Sequence, residues 1–468
     1  SPSPSLLDRP LKHDVLGAEP PAQVSLFLAS IGSQPHSRRG HDTSRMDYLL
    51  MQLSLFSSCE RAGVPPFIET VLSAGADLAI SVSGGKDSDA MLRYLAKTYA
   101  ASCWPGSAFA LFCELGRIEW LGVNEHLRQL CASLDMPLVN LFPKRSMVDE
   151  WQHRYETILS KQADKPFWSS ASARYCTDRE KSQPANKFFR GSALSQSEKP
   201  FWSSAAARFC TKHEKTQPSD QLLRNYNFVI CAIGLRAEES SARAKKPRYQ
   251  VRNDIASVWY KTPPECKTAD AKEAWAEQAY WRWLDAGQRG RFALSWHPIH
   301  HWSLEQVWQE NGTSGDEVAR RIRLYQSGDI EQAFAGFPCH WVYATGNTRL
   351  SCSLCVLGST HDILNGAQHN PWTWAELALM EIVGGWGCQQ SRWLSSLTDE
   401  VLKLSWHQRQ HLHETLLQLD LIAPINPVFL LSLLRCCELE QMLFWTDEAF
   451  SGILREISAY WKTEAEST

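Results

Sequence analysis

The sequence has no long apolar run. A membrane-spanning helix needs roughly 18 consecutive apolar residues, and the longest candidate run, residues 427–434, falls far short of that length. Residues 1–10 are polar and rich in serine and proline, which is not the pattern of a secretory signal peptide. We therefore expect a cytoplasmic protein with no membrane partner.

Net charge is also small, at −3 with a pI of about 6.6. This balance gives no sign, at the level of the whole chain, of a nucleic-acid or membrane-surface binder. Fourteen cysteines in 468 residues are too sparse for the disulfide framework of a small secreted domain. An apolar fraction of 44% with 20 tryptophans indicates a globular protein with a substantial core.

Short apolar runs alternate with segments of helical spacing from residue 77 onward. The sequence predicts strands at residues 77–82, 108–115, 137–142 and 228–234, and helices at 87–99, 121–134 and 147–161. This alternation is typical of an α/β fold with a parallel sheet and helices on both faces. Ligands in such folds bind at the carboxyl ends of the strands.

A glycine-containing loop follows the first predicted strand. It consists of Ser83, Gly84, Gly85, Lys86, Asp87 and Ser88. The glycines allow close approach of phosphate oxygens, and main-chain amides at the start of a helix attract anions. The lysine can add a positive charge and the serines hydroxyl donors, while the aspartate can cap the helix or help to position Mg²⁺. A capped glycine turn is the plainer alternative, but the full hexapeptide between strand and helix favours a phosphate site.

This hexapeptide resembles the PP-loop of the ATP pyrophosphatases. Further segments are similar, in order, to motifs of the phosphoadenylyl-sulfate (PAPS) reductase-like branch: residues 114–120, 208–215 with a near copy at 174–181, 234–240, 298–308 and 346–355. The resemblance covers roughly residues 75–381. It implies a Rossmann-like, adenine nucleotide alpha hydrolase-like sheet that binds ATP with Mg²⁺, or a PAPS- or APS-like nucleotide.

The resemblance also implies roles for particular side chains. Lys86, Asp87 and Arg236 are expected to be catalytic, with Arg236 neutralising charge on the α-phosphate. Besides the loop, the expected nucleotide-binding residues are Glu114, Gly116, Arg117, Arg208, Lys215, Gly234, Arg236 and Glu239. A solvated charged surface is the alternative for these groups. Basic residues exceed acidic ones over residues 208–252, so this stretch could hold a nucleic-acid partner or be a solvated face.

Cysteines near the end of the resemblance form a possible metal site. Cys352 and Cys355 are spaced as a half-site for zinc or an iron–sulfur cluster, and Cys339 and Cys210 are candidates for further ligands. The DNA-phosphorothioation branch of the family implies a four-iron cluster on comparable cysteines. Here His361 stands at the last position of that pattern, so a cluster, zinc and no metal all remain open.

The chain is predicted to have three parts. Residues 1–60 form a mobile or helical segment, residues 61–375 the PP-loop nucleotide-binding domain, and residues 376–468 a helical appendage. The central domain contains a duplicated insertion at residues 165–224, in which the segment 165–181 recurs as 199–215 with few changes. Two copies are too few for a solenoid.

Three functions fit these features. The first is an ATP pyrophosphatase that yields AMP or an adenylyl group and pyrophosphate, and so activates a substrate for sulfur transfer in nucleic-acid modification or a mobile-element or defence system. The second is a PAPS or APS reductase. The C-terminal Glu-Cys-Gly-x-His motif of those enzymes is missing, so Cys210, Cys352 or Cys355 would have to serve. The third is a nucleotide-sensing subunit with protein partners.

Overall fold

A six-stranded sheet forms the centre of the computed structural model. The strands are β1 (Asp77–Val82), β2 (Ala108–Cys113), β3 (Leu138–Leu141), β4 (Phe228–Ile233), β5 (Tyr249–Val251) and β6 (Phe292–Trp296). Their order across the sheet is β3-β2-β1-β4-β6-β5. All neighbours are parallel except β5 and β6. The α/β Rossmann-like fold is therefore confirmed, with the correction that one edge strand is antiparallel.

The structure describes residues 63–143, 146–153, 215–384, 393–397, 400–401, 403 and 406–422. All of these belong to one unit, Arg61–Thr468. The predicted N-terminal segment, most of the duplicated insertion and residues 423–468 lie outside the described residues. The three-part division of the chain stays a prediction.

Helices flank the strands along the chain. The α-helices are α1 (Pro66–Ser73), α2 (Lys86–Ala100), α3 (Val123–Ser133), α4 (Gln217–Leu223), α5 (Ser241–Ala244), α6 (Ala269–Asp285), α7 (Leu304–Glu310), α8 (Gly315–Gln326), α9 (Ile330–Phe334), α10 (Thr360–His369), α11 (Pro371–Gly384) and α12 (Trp406–Gln418). Short 3₁₀ turns lie at Ala237–Glu239, Val258–Tyr260, Trp341–Thr345 and Ser395–Leu397. Residues 147–153 are also helical. No helix in the described ranges is long and apolar enough to cross a bilayer.

The central strands are continuous apolar runs because helices cover both faces of the sheet. Every residue of β2 and β6 is buried. Helix α2 begins directly after Gly85, whose extended backbone ends the strand-to-helix turn. Asp87 and Asp89 lie in the first turn of this helix, where negative charge complements the helix dipole.

The strand order creates a crevice beside β1. The chain runs from β1 outward to β2 and β3, and then returns to place β4 on the other side of β1. Because such crossovers are nearly always right-handed, α2 and α3 are expected on one face of the sheet and the connection to β6 on the other. Ligands of such sheets bind where the order reverses, at the carboxyl ends of the strands. The loop after β1 and the turn after β4 meet at this point.

The segment after β2 packs against the C-terminal helices. Leu115, Ile118, Met147 and Trp374 belong to a second hydrophobic cluster, separate from the core around the sheet. Helix α11 runs from Pro371 to Gly384, across the expected domain boundary after residue 375.

Candidate nucleotide-binding site

The loop at residues 83–88 closes on itself after β1. The Oγ of Ser88 accepts a hydrogen bond from the Ser83 amide at 3.2 Å and donates one to the Gly85 carbonyl at 2.8 Å. Gly84 has φ +71°, a left-handed conformation that favours glycine. A Cβ at this position would lie 3.2 Å from Val123 and 3.4 Å from Leu350. Both the backbone angle and the space around it therefore require glycine.

Main-chain amides at the start of α2 are available to an anion. Among the residues that the structure describes, the amides of Gly84, Gly85, Asp87 and Ser88 donate to no protein acceptor. A helix N-terminus with free N–H groups is a suitable site for phosphate. The Lys86 amide is different, because it donates to another part of the protein.

Lys86 is held beside the loop by a distant segment. Its amide donates to the Tyr343 hydroxyl at 2.9 Å, and its Nζ donates to the Thr348 carbonyl at 3.1 Å. The Nζ also lies 3.3 Å from Asp87 Oδ2 and 5.8 Å from the centre of the Trp308 ring. The side chain is only 8% exposed. The Asp87 carboxylate, the Thr348 carbonyl and the rings of Trp308 and Tyr343 together hold the ammonium group in place.

Arg236 reaches the same aspartate from the turn after β4. Its Nε donates to Asp87 Oδ1 at 2.5 Å, and its Nη1 donates to Glu238 at 2.5 Å. Burial acts to lower the pKa of Arg236, but the Asp87 charge and the hydrogen bonds outweigh burial and raise it. The Arg236 amide donates to Glu239, whose carboxylate also pairs with Arg243.

Gly234 allows this approach. A Cβ on Gly234 would lie 3.3 Å from the Asp87 carbonyl oxygen and from the Ser88 N and Cα atoms. The turn after β4 therefore packs directly against the first turn of α2. The structure thus brings together nine predicted site residues from the two strand ends: Ser83, Gly84, Gly85, Lys86, Asp87, Ser88, Gly234, Arg236 and Glu239.

Asp87 is not the helix cap, and its role in positioning Mg²⁺ stays a prediction. It is the second residue of α2, and the N-cap is Gly85. Arg236 holds one carboxylate oxygen and Lys86 lies against the other. Within the described ranges, no group of three or more histidine, cysteine or acidic side chains could hold a metal.

Carboxyl groups with fewer partners lie on the other flank, after β2. Glu114 accepts a hydrogen bond from the Asn124 side chain at 2.8 Å. Burial raises the pKa of Glu119 to about 8; Lys215 opposes this rise and the charge of Glu114 adds to it. The predicted residues Glu114 and Lys215 are therefore both close enough to Glu119 to affect its pKa. Arg208 lies outside the described residues.

Arg117 is engaged away from the loop residues. Its guanidinium donates to Asp149 at 2.6 Å and to both carboxylate oxygens of Glu376, at 2.7 and 3.1 Å. Gly116 precedes it at φ +76°, and a Cβ there would lie 2.7 Å from Ser146. These contacts fasten the segment after β2 to α11. A role of Gly116 and Arg117 in nucleotide binding stays a prediction.

Sequence reasoning missed a buried pair behind the loop. The Asp89 carboxylate is fully buried, and its Oδ2 lies 2.6 Å from His126 Nε2. The His126 ring in turn lies 3.8 Å from the Cβ position of Gly84. Tyr343, which accepts from the Lys86 amide, was missed as well. The only local signal was the position of Asp89 directly after the hexapeptide.

The candidate metal ligands do not converge among the described residues. Cys339 is buried in the core around the sheet, whereas Cys352 packs against the second cluster. Cys355 is partly buried. His361 Nε2 donates to the Gly346 carbonyl at 3.1 Å. Cys339, Cys352 and Cys355 form no metal group by themselves, and the remaining candidate, Cys210, lies outside the described residues.

One known family is similar to part of this chain. The phosphoadenosine phosphosulfate reductase domain matches residues 165–328, about a third of the sequence. The matched stretch includes Gly234 and Arg236, while the loop at 83–88 lies before it. No curated protein matches the chain significantly. The match supports a place in the PP-loop/PAPS reductase-like superfamily and a nucleotide-binding fold. It does not distinguish an ATP pyrophosphatase from a reductase.

Proposed function

We propose that the chain is an ATP pyrophosphatase that binds MgATP at residues 83–88 and cleaves it between the α- and β-phosphates. The observation that carries this proposal is the arrangement around Asp87. Lys86 and Arg236 approach its two carboxylate oxygens from the ends of two neighbouring strands. Beside them are four main-chain amides that donate to no acceptor among the described residues. Positive groups and free N–H donors at the reversal of strand order are suited to a polyphosphate.

The proposed reaction is a displacement at the α-phosphorus. An oxygen of the acceptor forms a bond to this phosphorus, the bond to the bridging oxygen of the β-phosphate breaks, and its electron pair leaves with pyrophosphate. The loop amides and Lys86 stabilise the charge on the leaving pyrophosphate. Arg236 neutralises charge at the α-phosphate. Mg²⁺ enters as part of the nucleotide, and Asp87 is the loop carboxylate proposed to help position it.

Sulfur transfer is the proposed purpose of the activation. A sulfur donor would attack the adenylylated acceptor and displace AMP, so that the carbon or phosphorus that carried the adenylyl group carries sulfur instead. The proposed acceptor is a nucleic acid or a small molecule. The proposed role is nucleic-acid modification in the cytoplasm, or a part in a mobile-element or defence system. The support for this step is the sequence resemblance alone.

Three buried thiols that were not reductase candidates are also unsuited to that reaction. Reduction needs an accessible thiolate. Burial raises the pKa of Cys113, Cys231 and Cys339, so these three side chains stay protonated near neutral pH. A reductase would have to use one of the candidates, Cys352, Cys355 or Cys210.

The test is incubation of purified protein with α-labelled ATP and Mg²⁺, followed by separation of AMP, ADP and adenylylated species. We expect AMP or an adenylylated species together with pyrophosphate, and the loss of both in Lys86→Ala. Lys403→Ala is the control, because that exposed lysine pairs with Glu400 on the surface. ADP as the main product would contradict the proposal.

Two further outcomes identify the alternatives. Sulfite released from PAPS or APS with thioredoxin would identify a reductase. Tight ATP binding without turnover, with partner assembly unaffected by Lys86→Ala, would identify a nucleotide-sensing subunit.

A further inference from the structure

Arg349 lies in a segment that covers the phosphate loop. The residue before it, Thr348, accepts a hydrogen bond from Lys86 Nζ at 3.1 Å. The residue after it, Leu350, lies 3.5 Å from the Cβ position of Gly85, and its amide donates to the Tyr343 hydroxyl at 3.1 Å. Arg349 is thus placed between two residues that contact the loop.

The backbone around Arg349 is also fixed from behind. The Thr348 amide and hydroxyl both donate to the buried carboxylate of Asp362. The Asn347 side chain donates to the Arg349 carbonyl at 3.3 Å and accepts from Asn365 at 2.6 Å. These hydrogen bonds fix the main chain, so the Cα position of Arg349 is set before a ligand binds.

Arg349 differs from the other cations near the loop in having no carboxylate partner. Lys86 and Arg236 approach Asp87, and Arg243 pairs with Glu239. In the part of the chain that the structure describes, the Arg349 side chain makes no ion pair and no hydrogen bond. It is also exposed to solvent. Its positive charge is therefore available to an incoming anion.

We infer that Arg349 binds the terminal phosphates of the nucleotide at the mouth of the loop. A guanidinium presents a planar fork of donors that suits phosphate oxygens, and it stays charged at any physiological pH. The inference rests on the proposed function, because it assigns Arg349 to the polyphosphate held by residues 83–88. Most exposed arginines are simply solvated and bind no ligand. The experiment below distinguishes a solvated Arg349 from one that binds phosphate.

The experiment is calorimetric titration of the full chain and of Arg349→Gln with ATP, inorganic pyrophosphate and AMP. We expect Arg349→Gln to weaken ATP and pyrophosphate binding about tenfold, the effect of losing one charge-assisted contact. AMP binding and the melting temperature should stay unchanged. Arg349→Lys should recover part of the lost affinity, because it keeps the charge and loses the fork.

Arg289→Gln is the matched control. Arg289 is also exposed, but it lies just before β6, at the amino-terminal edge of the sheet and away from the strand ends that carry the loop. Equal ATP and pyrophosphate affinities in Arg349→Gln and the unsubstituted chain would overturn the inference while leaving the proposed function intact. An equal loss of AMP affinity would also overturn it. Absence of ATP and pyrophosphate binding in the unsubstituted chain would overturn both.

Discussion

The two flanks of the phosphate loop are the turn after β4 and the segment after β2, and they differ in how their charged side chains are paired. On the β4 flank, Arg236 and Lys86 share Asp87, so each charge has a partner within 3.3 Å. On the β2 flank, burial raises the pKa of Glu119 to about 8 even though Lys215 is near. The Glu119 carboxyl on the β2 flank therefore gains or loses a proton near pH 8. Phosphate binding should therefore depend on the β4 flank, and pH sensitivity on the β2 flank.

The largest expected effect concerns Arg236. Replacement by Gln removes the positive charge proposed for the α-phosphate and leaves Asp87 Oδ1 without its guanidinium partner. We expect the rate of AMP formation to fall by about 10²–10³-fold, as when one preorganised donor is removed from an active site. Single-turnover assays with labelled ATP measure the change. Arg320→Gln should be unaffected, because Arg320 pairs with Glu317 on an exposed face of α8.

A smaller effect is expected from Gly84→Ala in the loop itself. A Cβ there meets Val123 and Leu350 at 3.2 and 3.4 Å and imposes a left-handed alanine. The backbone alone costs about 1–2 kcal/mol, and the displaced loop should bind ATP at least tenfold more weakly. Gly312→Ala is a matched control, because Gly312 has φ +82° and nothing within 4 Å of its Cβ position.

Chemical denaturation and ATP titration of both alanine variants separate backbone strain from loop geometry. Both variants should lose stability, and only Gly84→Ala should lose ATP affinity. Equal ATP binding by the two variants would show that the loop does not hold the nucleotide.

The smallest effect concerns the pH dependence of stability through Glu119. A carboxyl whose pKa rises on folding binds more protons in the folded state, so it stabilises the fold at low pH and loses that contribution as pH rises. The window runs from about 4.5, the ordinary value, to about 8. In this window Glu119 should contribute a fall in unfolding free energy of at most about 1.4 kcal/mol per pH unit.

Denaturation of Glu119→Gln between pH 5 and pH 8 tests this claim, since glutamine does not titrate. The variant should lose stability less steeply with rising pH than the unsubstituted chain. Parallel curves for the two proteins would mean that Glu119 ionises normally. Glu400→Gln serves as the control, because this carboxylate pairs with Lys403 on the surface.

Local patterns predicted the phosphate loop and most of the strands around it. Strands β1, β2, β3 and β4 were expected near their observed bounds, because each is a short apolar run followed by a turn. Strand β5 was not expected. It has three residues, Tyr249–Val251, too few to show a period, and the same sequence gives no sign that it pairs antiparallel with β6.

Contacts across the fold could not be predicted in the same way. The hydrogen bonds of Asp87 with Arg236 and of Lys86 with Tyr343 join residues 149 and 257 positions apart. Periodicity carries information only over a turn or a strand, so such partners are invisible to it. The resemblance named Arg236 but not its partner, and it named neither Tyr343 nor the Asp89–His126 pair. The raised pKa of Glu119 likewise depends on burial by the assembled structure.

The most direct test of the central claim follows the main-chain amides of the loop by NMR during titration with ATP. If residues 83–88 hold the polyphosphate, the amide resonances of Gly84, Gly85, Asp87 and Ser88 should shift most, with saturation at the ATP affinity measured by calorimetry. Gly312 should not move. Saturable ATP binding with the loop resonances unchanged, and shifts concentrated elsewhere in the chain, would contradict the account.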